Sequence, residues 1–180
     1  MRRAILQQSI RTRRATSRDA SWIIPLSARL HDFGPPAWRP RHLMDRAVAA
    51  ELRRAFNAPE VGTALLVAED GEREPLGFAY VHTECDLFTG EWHAHLSELA
   101  VRASAEGRGI GAELLGTVEQ WAVTQGHRLL TLNVFATNHR ARSLYERSGF
   151  LPDTVKLVKE IGHPTRYITE GDLPDESSLH

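Results

Sequence analysis

A single cysteine, Cys85, stands among 180 residues, so no intramolecular disulfide can form. That scarcity fits a reducing compartment and points to a cytoplasmic location. No base is marked out for the thiol, so Cys85 reads as a small apolar or loop residue and not as a nucleophile. Charge of one sign is also lacking. Lys and Arg number 22 against 23 Asp and Glu, a net charge of −1. Such a balance leaves no electrostatic footprint for nucleic acid. No stretch approaches the ~20 apolar residues that cross a bilayer. Internal repeats and a separate linker are missing too, so the chain reads as one domain long enough for a full core. With 42% hydrophobic and 25% charged residues, the composition is that of an ordinary globular protein.

Apolar periodicity lays out the elements. Trp22, Ile23, Leu26 and Leu30 follow Asp19 and predict a helix over about 18–31, with Pro25 causing a kink or a late start. Residues 32–41 form a loop set by three prolines. Met44, Val48, Leu52 and Phe56 mark a second helix at i, i+4 spacing. Residues 63–69 and 77–83 read as antiparallel strands joined through Asp70-Gly71, a hairpin signal. A loop over 86–94 follows, then a strand over 95–102, a helix over 112–126 and a strand over 129–135. A helix from Asn138 and a last strand over 154–161 complete the domain.

The most informative stretch is Gly107-Arg108-Gly109-Ile110-Gly111, lying between a strand and a helix whose Leu114, Val118, Trp121 and Ala122 recur at helical spacing. Glycines at a helix entrance let backbone approach an anion, and the unpaired N–H groups there favour negative charge. This is a design for holding a pyrophosphate. Gly107, Gly109 and Ala112 fit the spacing of a dinucleotide fingerprint, but that motif wants glycine directly after the strand and an acid about 20 residues on. Here Ala103, Ser104, Ala105 and Glu106 intervene, and the next strand carries Asn133 and no acid. No Gly-Lys-Ser/Thr follows, so a nucleotide-triphosphate loop is excluded.

Downstream come Asn138, Ala141, Leu144, Tyr145, Gly149 and Phe150. Strand, G-R-G-I-G and N-x-x-A-x-x-x-Y-x-x-x-G-F together resemble the GNAT superfamily of N-acetyltransferases, specifically from Leu96 to Phe150 and more weakly from Ile10 to Val81. The resemblance implies an α/β (α+β) fold: one domain over 9–161 with a mixed, mostly antiparallel sheet flanked by helices. It also implies one parallel βαβ acetyl-CoA-binding unit over 95–135, and leaves a polar tail over 162–180. Residues 9–15 would be the first strand. Residues 1–18 hold six arginines and no acid, the composition of a targeting segment, but that strand leaves a stub of about eight residues, expected as a solvated basic lead-in.

The implied reaction is transfer of an acetyl group from acetyl-CoA to a primary amine by direct attack in a ternary complex. A non-catalytic acyl-CoA-binding sensor or scaffold is the alternative. The acceptor is a small molecule or a peptide or protein amino group, and a homodimer is compatible with the reading. No metal, nucleic acid or membrane is called for. By family position, the cofactor contacts are Leu99, Val101, Gly107, Arg108, Gly109, Ile110, Gly111, Ala112, Asn138 and Tyr145. A bulge in the strand would free the Leu99 and Val101 N–H groups, and Tyr145 would protonate the departing thiolate. Tyr145 also suits plain packing on a helix face, and Asn138 a helix cap. The candidate bases are Glu98 and His95. Strict alternation places His95, Ser97, Leu99 and Val101 on one face and Glu98 on the other, whereas a bulge can turn Glu98 inward.

Two departures stand out. Ser97 occupies a position where some relatives carry an acid, and Glu106 one that is usually Arg or Gln. A carboxylate there repels a pyrophosphate, so Glu106 is expected to point away, with Arg108 supplying positive charge. Trp38, Asp86, Phe88, Glu91, Trp92 and His93 form an aromatic and acidic set that could wall a pocket for a cationic amine.

Overall fold

A computed structural model describes residues 10–162; the N-terminal stub and the tail beyond Gly162 lie outside the described residues. Two compact units are distinguished, one ending at Phe150 and one beginning at Leu151. The first unit carries the fold. Its strands are β1 (Arg11–Arg14), β2 (Thr63–Glu69), β3 (Pro75–Cys85), β4 (Trp92–Val101) and β5 (Leu130–Leu132). Its helices are α1 (Ala20–Leu26), α2 (Arg41–Asn57), α3 (Ile110–Thr124) and α4 (His139–Arg147). The sheet runs in the order β1-β2-β3-β4-β5. Neighbours from β1 to β4 are antiparallel, and β5 lies parallel to β4. The expected mixed sheet with one parallel crossover through α3 is therefore present.

Each face of the sheet buries a separate core. On one, α3 sets Leu114, Leu115, Val118, Trp121 and Ala122 against Ala79, Val81, Ala94 and Leu96. On the other, Ile23 and Leu52 pack on Val67, Phe78, Tyr80 and Ala100. Burial of side chains such as Phe78 and Leu114 stabilises the fold by roughly 1.5–3 kcal/mol each. Pro25 lacks the N–H for a helical bond. It stands inside α1 all the same, and after Leu26 the chain continues as a 3-10 turn over Ser27–His31.

Several boundaries differ from the sequence reading. Asp70 organises the β2–β3 turn through its side chain, with Oδ1 accepting from the N–H groups of Glu72 and Glu74 at 3.0 Å each. The left-handed residue of that turn is Arg73, at φ 66°, not Gly71. The loop before β4 spans only 86–91, because Cys85 pairs with Trp92 and the hairpin zips further. Trp92 and His93 are thus strand residues. β5 holds three residues where seven were expected, since its pairing with β4 ends at Leu96↔Leu132. The expected strand over 154–161 is absent: these residues have no regular secondary structure, and Val155, Leu157 and Ile161 are exposed. Residues such as Val155 and Leu157 suit a strand, but pairing is what forms one.

Candidate active site

The centre of β4 contains a bulge. Tyr80 faces Glu98 and the next β3 residue, Val81, faces Leu96, which leaves Ser97 as the extra residue. A two-for-one pairing reverses the side-chain alternation beyond it. Before the bulge, Ala94 and Leu96 face α3; after it, Leu99 and Val101 do. His95 and Glu98 consequently share the opposite face, where the His82 ring stands 6.0 Å from Tyr80 and 5.4 Å from His95. The bulged alternative is the one realised.

Glu98 is 5% exposed, and its Oε2 has no hydrogen-bond partner among the described residues. Burial, reinforced by the charge of Glu51 on α2, pushes the carboxyl up to about 8. His95 differs: Nδ1 lies 2.8 Å from Thr131 Oγ1 and Nε2 lies 3.4 Å from Asn133 Nδ2. Burial lowers its pKa below the ordinary histidine value; His82 and His93 add to the shift and Glu84 opposes it.

The bulge also opens an edge. Arg102 donates its backbone N–H to Leu76 O across the hairpin at 2.8 Å. Successive backbone groups alternate sides, so the Leu99 and Val101 N–H groups point away from β3. β5 pairs with β4 only as far as Leu96, so no strand among the described residues borders that edge beyond the bulge.

Beyond β4 the chain makes a 3-10 turn over Ala103–Ala105 and reaches the glycines. Gly107 and Gly109 take φ of 73° and 81°, where a side chain is strained. Gly109 is the N-cap of α3, and the first helical bond runs from Glu113 N to Gly109 O at 3.1 Å. The N–H groups of Ile110, Gly111 and Ala112 therefore have no partner within the helix. A Cβ on Gly107 or Gly109 would meet nothing within 4 Å, whereas one on Gly111 would stand 3.2 Å from Leu144 and 3.7 Å from Leu99. Gly111 thus lets α3 come close to α4 and β4, while the Ile110 side chain enters the core. Arg108 and Ala112 are exposed.

Glu106 is held by two arginines, Arg29 and Arg140, each 2.6 Å from its carboxylate. The Arg140 guanidinium, with Arg29 beside it, holds the carboxyl below the usual carboxylate range. Arg29 also donates from Nε to Val101 O at 3.1 Å, tying this loop to the edge of β4. These partners lie 77 and 34 positions away, and nothing in the sequence signals such contacts.

The second motif reads as a helix with its start and stop. Asn138 caps α4, its Oδ1 accepting from Ala141 N at 3.1 Å. At the other end, Phe150 N donates to Tyr145 O at 3.0 Å and Gly149 N donates to Glu146 O at 3.1 Å. Gly149, at φ 87°, makes that stop. The rings of Phe150 and Tyr145 meet edge-on at 5.7 Å, the apolar contact that accompanies such a stop. Tyr145 packs on the α3 side of the sheet, opposite to Glu98, and burial pushes its hydroxyl up to about 12.

The acceptor-wall residues do not come together as expected. Asp86 Oδ1 is committed to its own loop, accepting from Phe88 N and Thr89 N at 3.0 and 2.7 Å. Glu91 pairs with Arg128 at 3.0 Å. Trp38, Phe88 and Trp92 are exposed, and His93 is buried on β4 facing Glu84. Phe33 and Arg39 come from the loop before α2 instead, stacking on Phe135 at 5.0 and 5.5 Å. Among the described residues no helix is long and apolar enough to cross a membrane.

Comparison with known proteins agrees with this architecture. Residues 28–150 match the family model described as acetyltransferase (GNAT) family. The uncharacterized N-acetyltransferase YhfO of Bacillus subtilis is 30% identical over 142 residues, covering 79% of this chain and 90% of that protein. The uncharacterized N-acetyltransferase YycN of the same organism is 31% identical over 90 residues, which span 50% of this chain and 56% of that protein. Among solved structures, aminoglycoside N-acetyltransferase AAC(6')-Iy in complex with CoA shares the fold, with a TM-score of 0.65 and 19% identity over 85% of this chain and 95% of that one. The chain belongs to the acetyltransferase (GNAT) family.

Proposed function

We propose that the protein is an N-acetyltransferase that moves an acetyl group from acetyl-CoA to a primary amine by direct attack, with both substrates bound. The observation that carries this reading is the bulge at Ser97. It puts Glu98 and His95 on one face of β4 and turns the Leu99 and Val101 N–H groups to an unpaired edge.

In this reading the pyrophosphate lies against Gly107–Ala112, where backbone donors at the start of α3 meet its charge and the glycines leave room. Asn138 and Tyr145 border the cofactor from α4. Arg108 adds positive charge in the turn, with Glu106 neutralised by its arginine partners. The pantetheine and thioester lie along the open edge of β4. There the Leu99 and Val101 N–H groups stabilise negative charge on the thioester oxygen, and one well-aimed donor contributes roughly 3–4 kcal/mol.

Glu98 is the stronger candidate for the base. Its free carboxylate oxygen and raised pKa suit removal of a proton from an ammonium, directly or through water. Both nitrogens of His95 already have partners in Thr131 and Asn133, which leaves it the weaker candidate. Tyr145 stays protonated throughout the neutral range, the form an acid needs. Because it lies on the other face of the sheet, the amine would arrive from one side of the thioester and the thiolate leave on the other. The amine nitrogen bonds to the acetyl carbon, the carbon–sulfur bond breaks and the thiolate takes the Tyr145 proton. The second proton that the nitrogen sheds on becoming an amide restores Tyr145 through solvent, and Glu98 gives up the first to bulk water.

The test is thiol release from acetyl-CoA against a panel of amines that includes polyamines, an aminoglycoside and peptides with free amino groups. Amine-dependent release with formation of the acetylated amine supports the reading. Saturable binding without release across the panel identifies a binding module.

A further inference from the structure

Glu84, His93 and His95 stand together on the hairpin of β3 and β4. Glu84 is the register partner of His93, and His95 lies two residues along on the same face. The Glu84 carboxylate is 3.7 Å from His93 Nε2 and 3.4 Å from His95 Nδ1. One donor atom from each residue lies within 4.8 Å of the others. A 3.7 Å contact is too long for a hydrogen bond, and 3.4 Å is at its limit. Ligands of a tetrahedral zinc ion, each roughly 2.0–2.2 Å from the metal, stand about 3.3–3.6 Å apart. The two contacts of Glu84 come closer to the separation of ligands that share an ion than to that of atoms joined by a good hydrogen bond.

We propose that Glu84, His93 and His95 form a binding site for a divalent transition-metal ion of the zinc class, independent of the cofactor contacts described above. Two imidazoles and one carboxylate are the donor set that zinc and its neighbours accept, and calcium and magnesium prefer oxygen alone. The strand spacing His93-x-His95 puts both rings on one side of β4, and the hairpin fixes Glu84 opposite them, so little ordering is required on binding. The Glu84 side chain is half exposed, which gives the ion a path from solvent and leaves coordination positions for water or a ligand.

The surroundings can adapt to this role. Thr131 Oγ1, now 2.8 Å from His95 Nδ1, has a second acceptor in Ala94 O at 3.4 Å and can release the nitrogen. The Asn133 amide, 3.4 Å from His95 Nε2, can turn its oxygen to accept from that nitrogen once Nδ1 holds the metal. Sequence alone does not bring the three together: His93 falls in an expected loop, and Glu84 meets it only through the pairing of β3 with β4.

Calorimetric titration of the full chain with zinc chloride, after chelator treatment, tests the site. The expected result is one ion per chain with micromolar or tighter affinity, weakened at least ~10-fold by Glu84→Gln and by His93→Gln. Cobalt(II) added in place of zinc should give the strong visible bands of a low-coordinate site, lost in the same variants. Absence of binding, or binding of equal strength in Glu84→Gln, overturns the proposal and assigns any uptake to other histidines. Glu84 is exposed, so its replacement leaves the fold intact and decides the matter even where His93→Gln fails to fold.

Discussion

Tyr80 pairs with Glu98, and Val81 pairs with Leu96, so one residue of β4 has no counterpart on β3. This offset puts a carboxylate on the Tyr80 side of the sheet, where the Glu51 charge and burial both disfavour its ionised form. Removing that carboxylate has consequences for stability as well as for catalysis.

Glu98→Gln keeps the shape and deletes the charge. The carboxyl titrates near 4.5 in the unfolded chain and near 8 in the folded one. Over that interval the unfolded chain has lost a proton the folded one retains, so the parent loses stability as pH rises and levels off above about 8. The Gln variant escapes this loss. Its melting temperature should match the parent near pH 4 and exceed it by a growing margin up to pH 8. Its turnover should fall, and the acidic limb of the pH–rate profile should vanish, whereas His95→Gln should retain that limb. A variant profile with the limb intact removes Glu98 from the role of base.

Tyr145→Phe separates acid from packing. The ring contact with Phe150 and the burial against α3 survive, so the melting temperature should stay close to the parent. Turnover should fall roughly 10²–10⁴-fold, with coenzyme A affinity nearly unchanged. Equal turnover in parent and variant, measured under saturating acetyl-CoA, would leave Tyr145 a packing residue.

Much of this arrangement was legible in the sequence because it is local. The glycines around 109 and the Asn138-to-Phe150 run are start and stop signals whose partners lie within a few residues. The bulge was legible only as an alternative, since alternation alone cannot show where a strand skips a partner. The Glu106 ion pairs and the Glu84–His93–His95 group depend on contacts between elements, and an apolar segment such as 154–161 does not show from sequence whether a strand pairs with it.

Gly109→Val should weaken coenzyme A binding at least ~10-fold in calorimetry. The residue sits at φ 81° with open space where its Cβ would go, so the new side chain enters the volume assigned to the pyrophosphate and strains the helix start. Gly116→Ala on the exposed face of α3 is the control and should leave affinity unchanged. Unchanged affinity in the Gly109 variant would remove the phosphate cradle.

Glu106→Gln withdraws the counter-charge from Arg29 and Arg140. With two guanidiniums less compensated near the start of α3, coenzyme A should bind somewhat tighter at low ionic strength, and the gain should fade as salt is added. Weaker binding at every salt concentration would mean that the carboxylate organises the turn and does not merely tolerate the cofactor.

The most direct measurement is the initial rate of thiol release with acetyl-CoA and the accepted amine varied together. Direct attack with both substrates bound predicts release that requires the amine, matches the acetylated product one for one, and gives double-reciprocal lines that intersect. Parallel lines would signal an acetylated enzyme intermediate. Release that ignores the amine, or no release with any amine, would contradict acetyl transfer along the edge of β4.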